Sequence, residues 1–175
     1  MPDIGLAGGL LKTAEKLTSS KGKRPRQSNL RRSISTSYYA VFHALAKNCA
    51  DALVGTNKKT RPNKAWVEVY RGLSHGVCKT ACDGAKNIGF PVELKDFSDA
   101  FMQLQAARHS ADYDPMVRVQ KQRAQFFLSL AKTSVKKLNT TSMKDKRAFA
   151  TWVLITSQGA RQARERVRSG NLRNL

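Results

Sequence analysis

The chain has 175 residues, enough for one domain with a real core and too few for two of ordinary size. A hydrophobic fraction of 41% excludes wholesale disorder, and no run reaches the roughly 18 apolar residues that a membrane-spanning helix needs. The 32 Lys and Arg against 12 Asp and Glu give a formal charge of +20, a self-repelling surface that calls for an anionic partner; RNA or DNA comes before a membrane on that account.

The opening, MPDIGLAGGLLKTAEKL, begins acidic and shows no cleavage site, which argues against a signal peptide. Three cysteines, an odd number, suit free buried thiols in a reducing, cytoplasmic setting better than a disulfide framework. Residues 4–18 read as a first helix, with Ile4, Leu10, Leu11, Ala14 and Leu17 on one side and Gly8 and Gly9 weakening its start. SSKGKRPRQSN interrupts it as a cationic loop without acids.

A second helix is expected from about Ser28, as N-cap, to about Val54, with Gly55 as the stop. At 100° per residue, Leu30, Ile34, Tyr38, Val41, Leu45 and Cys49 form an apolar stripe, and Arg32, Thr36, Tyr39 and His43 a polar row opposite. After the basic loop GTNKKTRPNK, the segment KAWVEVYRGLSHGVCKTAC predicts a third helix, broken or bent near Gly76. DGAKNIGFPVEL reads as loop, and a fourth helix from about Asp96 carries Phe97, Phe101, Leu104 and Ala111.

Asp114-Pro115 predicts a restart, Asp as N-cap and Pro as the first helical residue. The fifth helix then carries Val119, Phe126, Leu130 and Leu138. Ser142 to Asp145 has capping-box spacing and opens a sixth helix through Phe149, Trp152, Val153 and Ile155, whose end turns basic. No segment alternates with period two, so the expectation is an all-α chain: a single domain over 1–175, an up-down bundle of four to five helices with basic loops, a core at about 28–138, and a basic C-terminal helical extension at about 142–175.

Arg108 falls on the apolar line of the fourth helix, where an arginine is costly unless paired. Asp112, one turn on, is the natural partner, and Tyr113 adds a hydroxyl. Either the two form an ion pair that ties the helix end down, or they complete a cluster with Arg32, Tyr39 and His43 of the second helix. A guanidinium, hydroxyls and an imidazole in one place can hold or cleave a phosphodiester without a metal: a base takes the 2′-hydroxyl proton, and a cation stabilises the pentacoordinate phosphorus. His43 suits the acid or base role because its unperturbed pKa lies near neutrality, and the forks of Arg108 and Arg32 suit phosphate.

RRSISTSYYAVFHAL followed by AARHSADYDP resembles the HEPN superfamily, in the branch where a YYAxFH-type helix precedes an RxxADY-like motif. The likeness covers roughly residues 28–138. It implies a helical bundle that dimerises with its polar site near the dimer interface, and many relatives are metal-independent endoribonucleases of toxin-antitoxin, antiphage and RNA-processing systems. Others bind nucleotides or RNA without cleaving. The ribonuclease members carry an Arg and a His four to six residues apart on one helix. Here Arg108 is followed at once by His109, with Asp112 and Tyr113 where the later histidine falls, and Arg71 and His75 come before the expected place.

His75, Cys78 and Cys82 lie at i, i+3 and i+7 on one helical face, but no fourth ligand or CxxC pair accompanies them. GLAGGLLK lacks the GK[ST] ending of a phosphate loop, so no metal or other cofactor is expected. Three basic segments are expected to meet backbone phosphates. They hold Lys21, Lys23, Arg24, Arg26 and Arg31; Lys58, Lys59, Arg61 and Lys64; and Arg161, Arg164 and Arg168. The resulting expectation is an RNA-binding, homodimeric HEPN-like protein with metal-independent cleavage. Its rivals are a non-catalytic RNA- or DNA-binding module and a docking module whose charge meets an acidic protein such as an antitoxin.

Overall fold

The computed structural model describes residues 5–19 and 25–155. Among these the chain is all-helical, in seven helices: α1 Leu6–Thr18, α2 Gln27–Val54, α3 Asn63–Arg71, α4 His75–Ala85, α5 Val92–Tyr113, α6 Lys121–Thr140 and α7 Met143–Leu154. No described helix is long and apolar enough to cross a membrane. The basic segment after Ile155 lies outside the described residues.

α2 is the central helix, packed by α1, α3, α5, α6 and α7. The expected apolar stripe is buried throughout, with Leu30 and Ile34 at 2% exposure and Tyr38, Val41, Leu45 and Cys49 at 0%. Ser33, Ser35, Thr36 and Ser37 are buried as well. Ser33 Oγ donates to the Ala14 carbonyl of α1 at 2.9 Å and Ser37 Oγ to the Ser33 carbonyl at 2.8 Å, so small hydroxyls let α1 approach α2 without orphaned polar groups. Phe97, Phe101 and Leu104 of α5 and Phe149 and Val153 of α7 join the same core, each such side chain stabilising the fold by about 1.5–3 kcal/mol. Across its surface, Lys132 of α6 pairs with Glu15 of α1 at 2.8 Å, and Lys137 of α6 pairs with Asp96 of α5.

Helix ends follow local chemistry in some places and tertiary contacts in others. Gly55 ends α2 at φ 110°, a conformation that favours glycine. Ser142 Oγ accepts from the Asp145 amide at 3.1 Å, the expected cap of α7. α2 starts one residue before Ser28, with Arg26 at the cap position and no side-chain cap. The expected third helix is two helices, interrupted at Gly72, Leu73 and Ser74 rather than at Gly76, because Ser74 Oγ accepts from the Val77 amide and starts α4 afresh. α5 begins at Val92, directly after Pro91.

Asp114 does not cap a restarting helix. It ends α5, its carboxylate accepts from the Met116 amide at 2.9 Å, and α6 starts only at Lys121. The intervening strap is held to α2 instead. Gln27 exchanges two hydrogen bonds with the Val119 backbone at 2.8 and 2.9 Å, and Val119 is 2% exposed. On α6 the buried aromatic is Phe127, and Phe126 faces solvent at 56% exposure. Ile155 is likewise exposed.

Candidate functional site

Arg108 approaches the core edge from α5 and lies among three phenol rings, its Cζ 5.8, 5.4 and 5.5 Å from the ring centroids of Tyr38, Tyr39 and Tyr113. Such a cage offsets the desolvation of a guanidinium through the negative ring faces. Nε donates to Asp112 Oδ2 at 2.9 Å, and Nη2 donates to Tyr39 Oη at 3.0 Å and to Tyr113 Oη at 3.4 Å. Ser35 Oγ of α2 donates to the same Asp112 oxygen at 3.1 Å, so the carboxylate is held from two helices. The side chains of Arg108 and Asp112 keep 17% and 23% exposure, which leaves the pair reachable from solvent. Of the expected cluster, the structure therefore joins Arg108, Asp112 and Tyr39.

His43 and Arg32 stand apart from it. His43 Nδ1 is hydrogen-bonded to Tyr70 Oη of α3 at 2.8 Å, and Tyr70 in turn stacks on Trp66 at 5.2 Å. Arg32 is exposed and makes no ion pair among the described residues. The expected polar row is thus not one presented face: Thr36 is buried, Tyr39 turns to α5 and His43 to α3, because α2 is surrounded rather than lying on a surface.

The imidazole that shares ring neighbours with Arg108 is His75, the first residue of α4. Its Nδ1 is hydrogen-bonded to Tyr38 Oη at 2.7 Å, and its ring lies 5.5 and 5.9 Å from those of Tyr38 and Tyr39, the same two rings that flank Arg108. Gln105 Nε2, one turn before Arg108, donates to the His75 carbonyl at 3.4 Å and fixes α4 against α5. Phe42 packs on His75 at 4.1 Å and on His43 at 5.6 Å, so one ring separates the two imidazoles. Burial, with the Arg108 charge second, pushes the His75 pKa below its ordinary value, and burial followed by His75 does the same to His43. Burial holds the Tyr38 phenol well above its usual range, so it stays protonated.

No family model, curated protein or solved structure matches this chain.

Sequence reasoning missed His75 and Tyr38 as members of the site. Tyr38 reads as core from its helical phase, and His75 lies on another helix 37 residues away. The one available signal was the helix restart in YRGLSH, which puts His75 at a helix N-terminus. His109, beside Arg108 in sequence, is exposed and packs on Tyr113 at 5.0 Å. Cys49, Cys78 and Cys82 are free and buried. Burial raises the Cys78 thiol to about 12, so it is protonated and unreactive as a nucleophile. Among the described residues no three His, Cys, Asp or Glu come together as a metal site.

The basic residues divide sharply. Arg31, expected on phosphate, is turned inward: Nε donates to the Ala111 carbonyl at 2.6 Å, Nη2 to Asp114 at 2.8 Å and Nη1 to Val117 at 3.3 Å. Arg61, also expected on phosphate, is 8% exposed and stacks on Trp66 at 4.3 Å. It donates to Asn63 Oδ1, Asp51 Oδ1 and the Gly55 carbonyl, and so closes the α2–α3 connection. Both are structural clamps because nearby carbonyls satisfy a guanidinium fork that phosphate would otherwise take. Arg26, Lys58, Lys59 and Lys64 are exposed. Lys21, Lys23, Arg24, Arg161, Arg164 and Arg168 lie outside the described residues.

Proposed function

We propose that this protein is a HEPN-like RNA-binding homodimer with metal-independent endoribonuclease chemistry, in which Arg108 is paired with a histidine from another helix. The observation that carries this reading is that Arg108 and His75 both lie against the Tyr38–Tyr39 ring pair. In the tautomer that carries its proton on Nδ1, facing Tyr38 Oη, His75 offers the Nε2 lone pair, and its lowered pKa keeps the ring neutral near pH 7. Nε2 takes the proton of a ribose 2′-hydroxyl, and the oxygen attacks the adjacent phosphorus. The 5′-oxygen then leaves and is protonated from solvent, to which His75 returns the proton it took, giving a 2′,3′-cyclic phosphate.

Arg108 stabilises the extra charge on the phosphorane oxygens, in a site partly withdrawn from water where such charge counts for more. Asp112 and Tyr39 act as positioning residues by fixing the guanidinium plane. Exposed Lys58, Lys59 and Lys64, with the basic segments at 21–24 and 161–168, supply the phosphate contacts that hold the strand. Exposed Tyr113 and Met116, at 63% and 86%, border the site and suit the dimer contact that the family resemblance implies.

The test incubates end-labelled single-stranded RNA with the full chain in EDTA, beside His75→Ala and Arg108→Ala proteins whose helicity matches the parent. Products ending in 2′,3′-cyclic phosphate, lost in both variants, are expected. Cleavage that survives in both folded variants overturns the assignment of the site, and RNA that binds but is never cut reduces the protein to a binding module.

A further inference from the structure

A cavity lies toward the C-terminal end of α2. Nine residues separate Asn48 from Tyr39, about 13 Å along the helix, so this cavity is independent of the Arg108 cluster. Its volume is about 330 Å³, at the small end of the ~300–1,000 Å³ range of small-ligand sites. Its lining combines apolar Ala44, Ala52, Val135 and Met143 with polar Lys47, Asn48, Thr56, Asn139 and Lys146.

Asn48 is 9% exposed, and its amide nitrogen is buried with no hydrogen-bond partner, a loss a folded chain rarely accepts without a use. Among the described residues the only carboxylate in the lining, Asp51, is already occupied: Oδ1 accepts from Trp66 Nε1 at 2.8 Å and from Arg61 at 3.4 Å, and Oδ2 is paired with Lys47. Lys146 gives one proton to the Asn139 carbonyl at 2.6 Å and keeps two. The open valences of Lys146 and Asn48 Nδ2 are therefore donors. In the lining, Lys47 and Lys146 against Asp51 leave a surplus of one positive charge, and Arg61, which is outside the lining and paired with Asp51, adds a second. Burial, with the Lys47 charge second, lowers the Lys146 pKa, and Asp51 offsets this only in part.

We infer that this cavity binds a small organic phosphate monoester, its dianionic phosphate held by Lys47, Asn48 and Lys146 and its organic body against the alanine, valine and methionine side chains. Two negative charges match the surplus, and three acceptor oxygens match the three donors, a fit a monocarboxylate does not offer.

Isothermal titration of the full chain in phosphate-free buffer tests this, with phenyl phosphate as probe and inorganic phosphate and succinate in parallel. Phenyl phosphate should bind at one site per chain and more tightly than inorganic phosphate, which leaves the apolar side chains uncovered. Lys146→Met and the isosteric Asn48→Asp should each weaken it by at least about tenfold, as the loss of a charge-assisted bond does. Lys144→Met, an exposed lysine off the cavity, should leave it unchanged. Equal affinity in all three variants means that the general positive surface binds the anion, and it overturns the site. Absence of saturable binding does the same, and succinate binding as tightly as phenyl phosphate overturns the choice of a phosphate ester.

Discussion

Replacing Arg31 by Met separates a clamp from an RNA contact more cleanly than any other change in the chain. The aliphatic stem is kept, and what is lost is the fork that holds the ends of α5 and the following strap against α2. The 2.6 Å bond runs to Ala111, itself buried, while the bonds to Asp114 and Val117 are exposed or long. A charged donor to a carbonyl is worth about 1.5–3 kcal/mol, so one strong and two weaker bonds come to about 3 kcal/mol in all. For a chain of this length that lowers the melting midpoint by roughly 6–12 °C. Urea denaturation gives the free energy, and RNA binding measured over a salt series gives the second readout. Because Arg31 touches no phosphate in this account, the salt slope should stay as in the parent. A variant that melts within 2 °C of the parent but loses a unit-like step of slope, about 0.7 for a single strand, refutes the clamp.

Lys59→Met should do the reverse, leaving the melting midpoint unchanged while making the salt slope shallower by about 0.7; an unchanged slope removes Lys59 from the RNA path. Asp51→Ala strands the Arg61 guanidinium, whose side chain is 3% exposed, and should destabilise by about 3–5 kcal/mol in urea; a loss under about 1 kcal/mol shows that the Gly55 and Asn63 oxygens suffice for it. Both His43 and His75 have pKa values pushed below 6.5 in the folded chain. The unfolded state then binds more protons, so stability is full above about pH 6.5 and falls as pH drops through the folded values. His43→Gln should flatten the melting profile between pH 7 and 5, which differential scanning calorimetry reads. The acid limb of the pH–rate profile should lie below 6.5, and the His75 titration followed by NMR should shift upward in Arg108→Gln, since the guanidinium helps hold His75 neutral.

Periodicity reached the buried stripe of α2 and the Phe97–Leu104 line of α5, because both depend only on residues within one helix. The Gly55 stop and the Ser142 cap were legible for the same reason, as was the Arg108–Asp112 pair at one-turn spacing. Asp114-Pro115 misled because its local signal for a new helix is overridden by Gln27 and Arg31, which draw the strap onto a helix more than 80 residues earlier. The polar row misled for a related reason. A helical wheel gives angles, and it does not say how many neighbours surround the helix.

Sequence by itself determined that this chain is helical, strongly basic and built around an aromatic helix with a paired arginine near the end of another. Tertiary structure decided which imidazole shares ring neighbours with that arginine, which arginines turn inward and where a buried amide is left without a partner. Helix periods and caps are fixed by residues three or four apart, whereas the fate of a charged or polar side chain depends on which distant backbone or ring folds against it. His75 and Arg108 show the difference: nothing local links them, and both lie against the Tyr38–Tyr39 ring pair only when α4 and α5 close on α2.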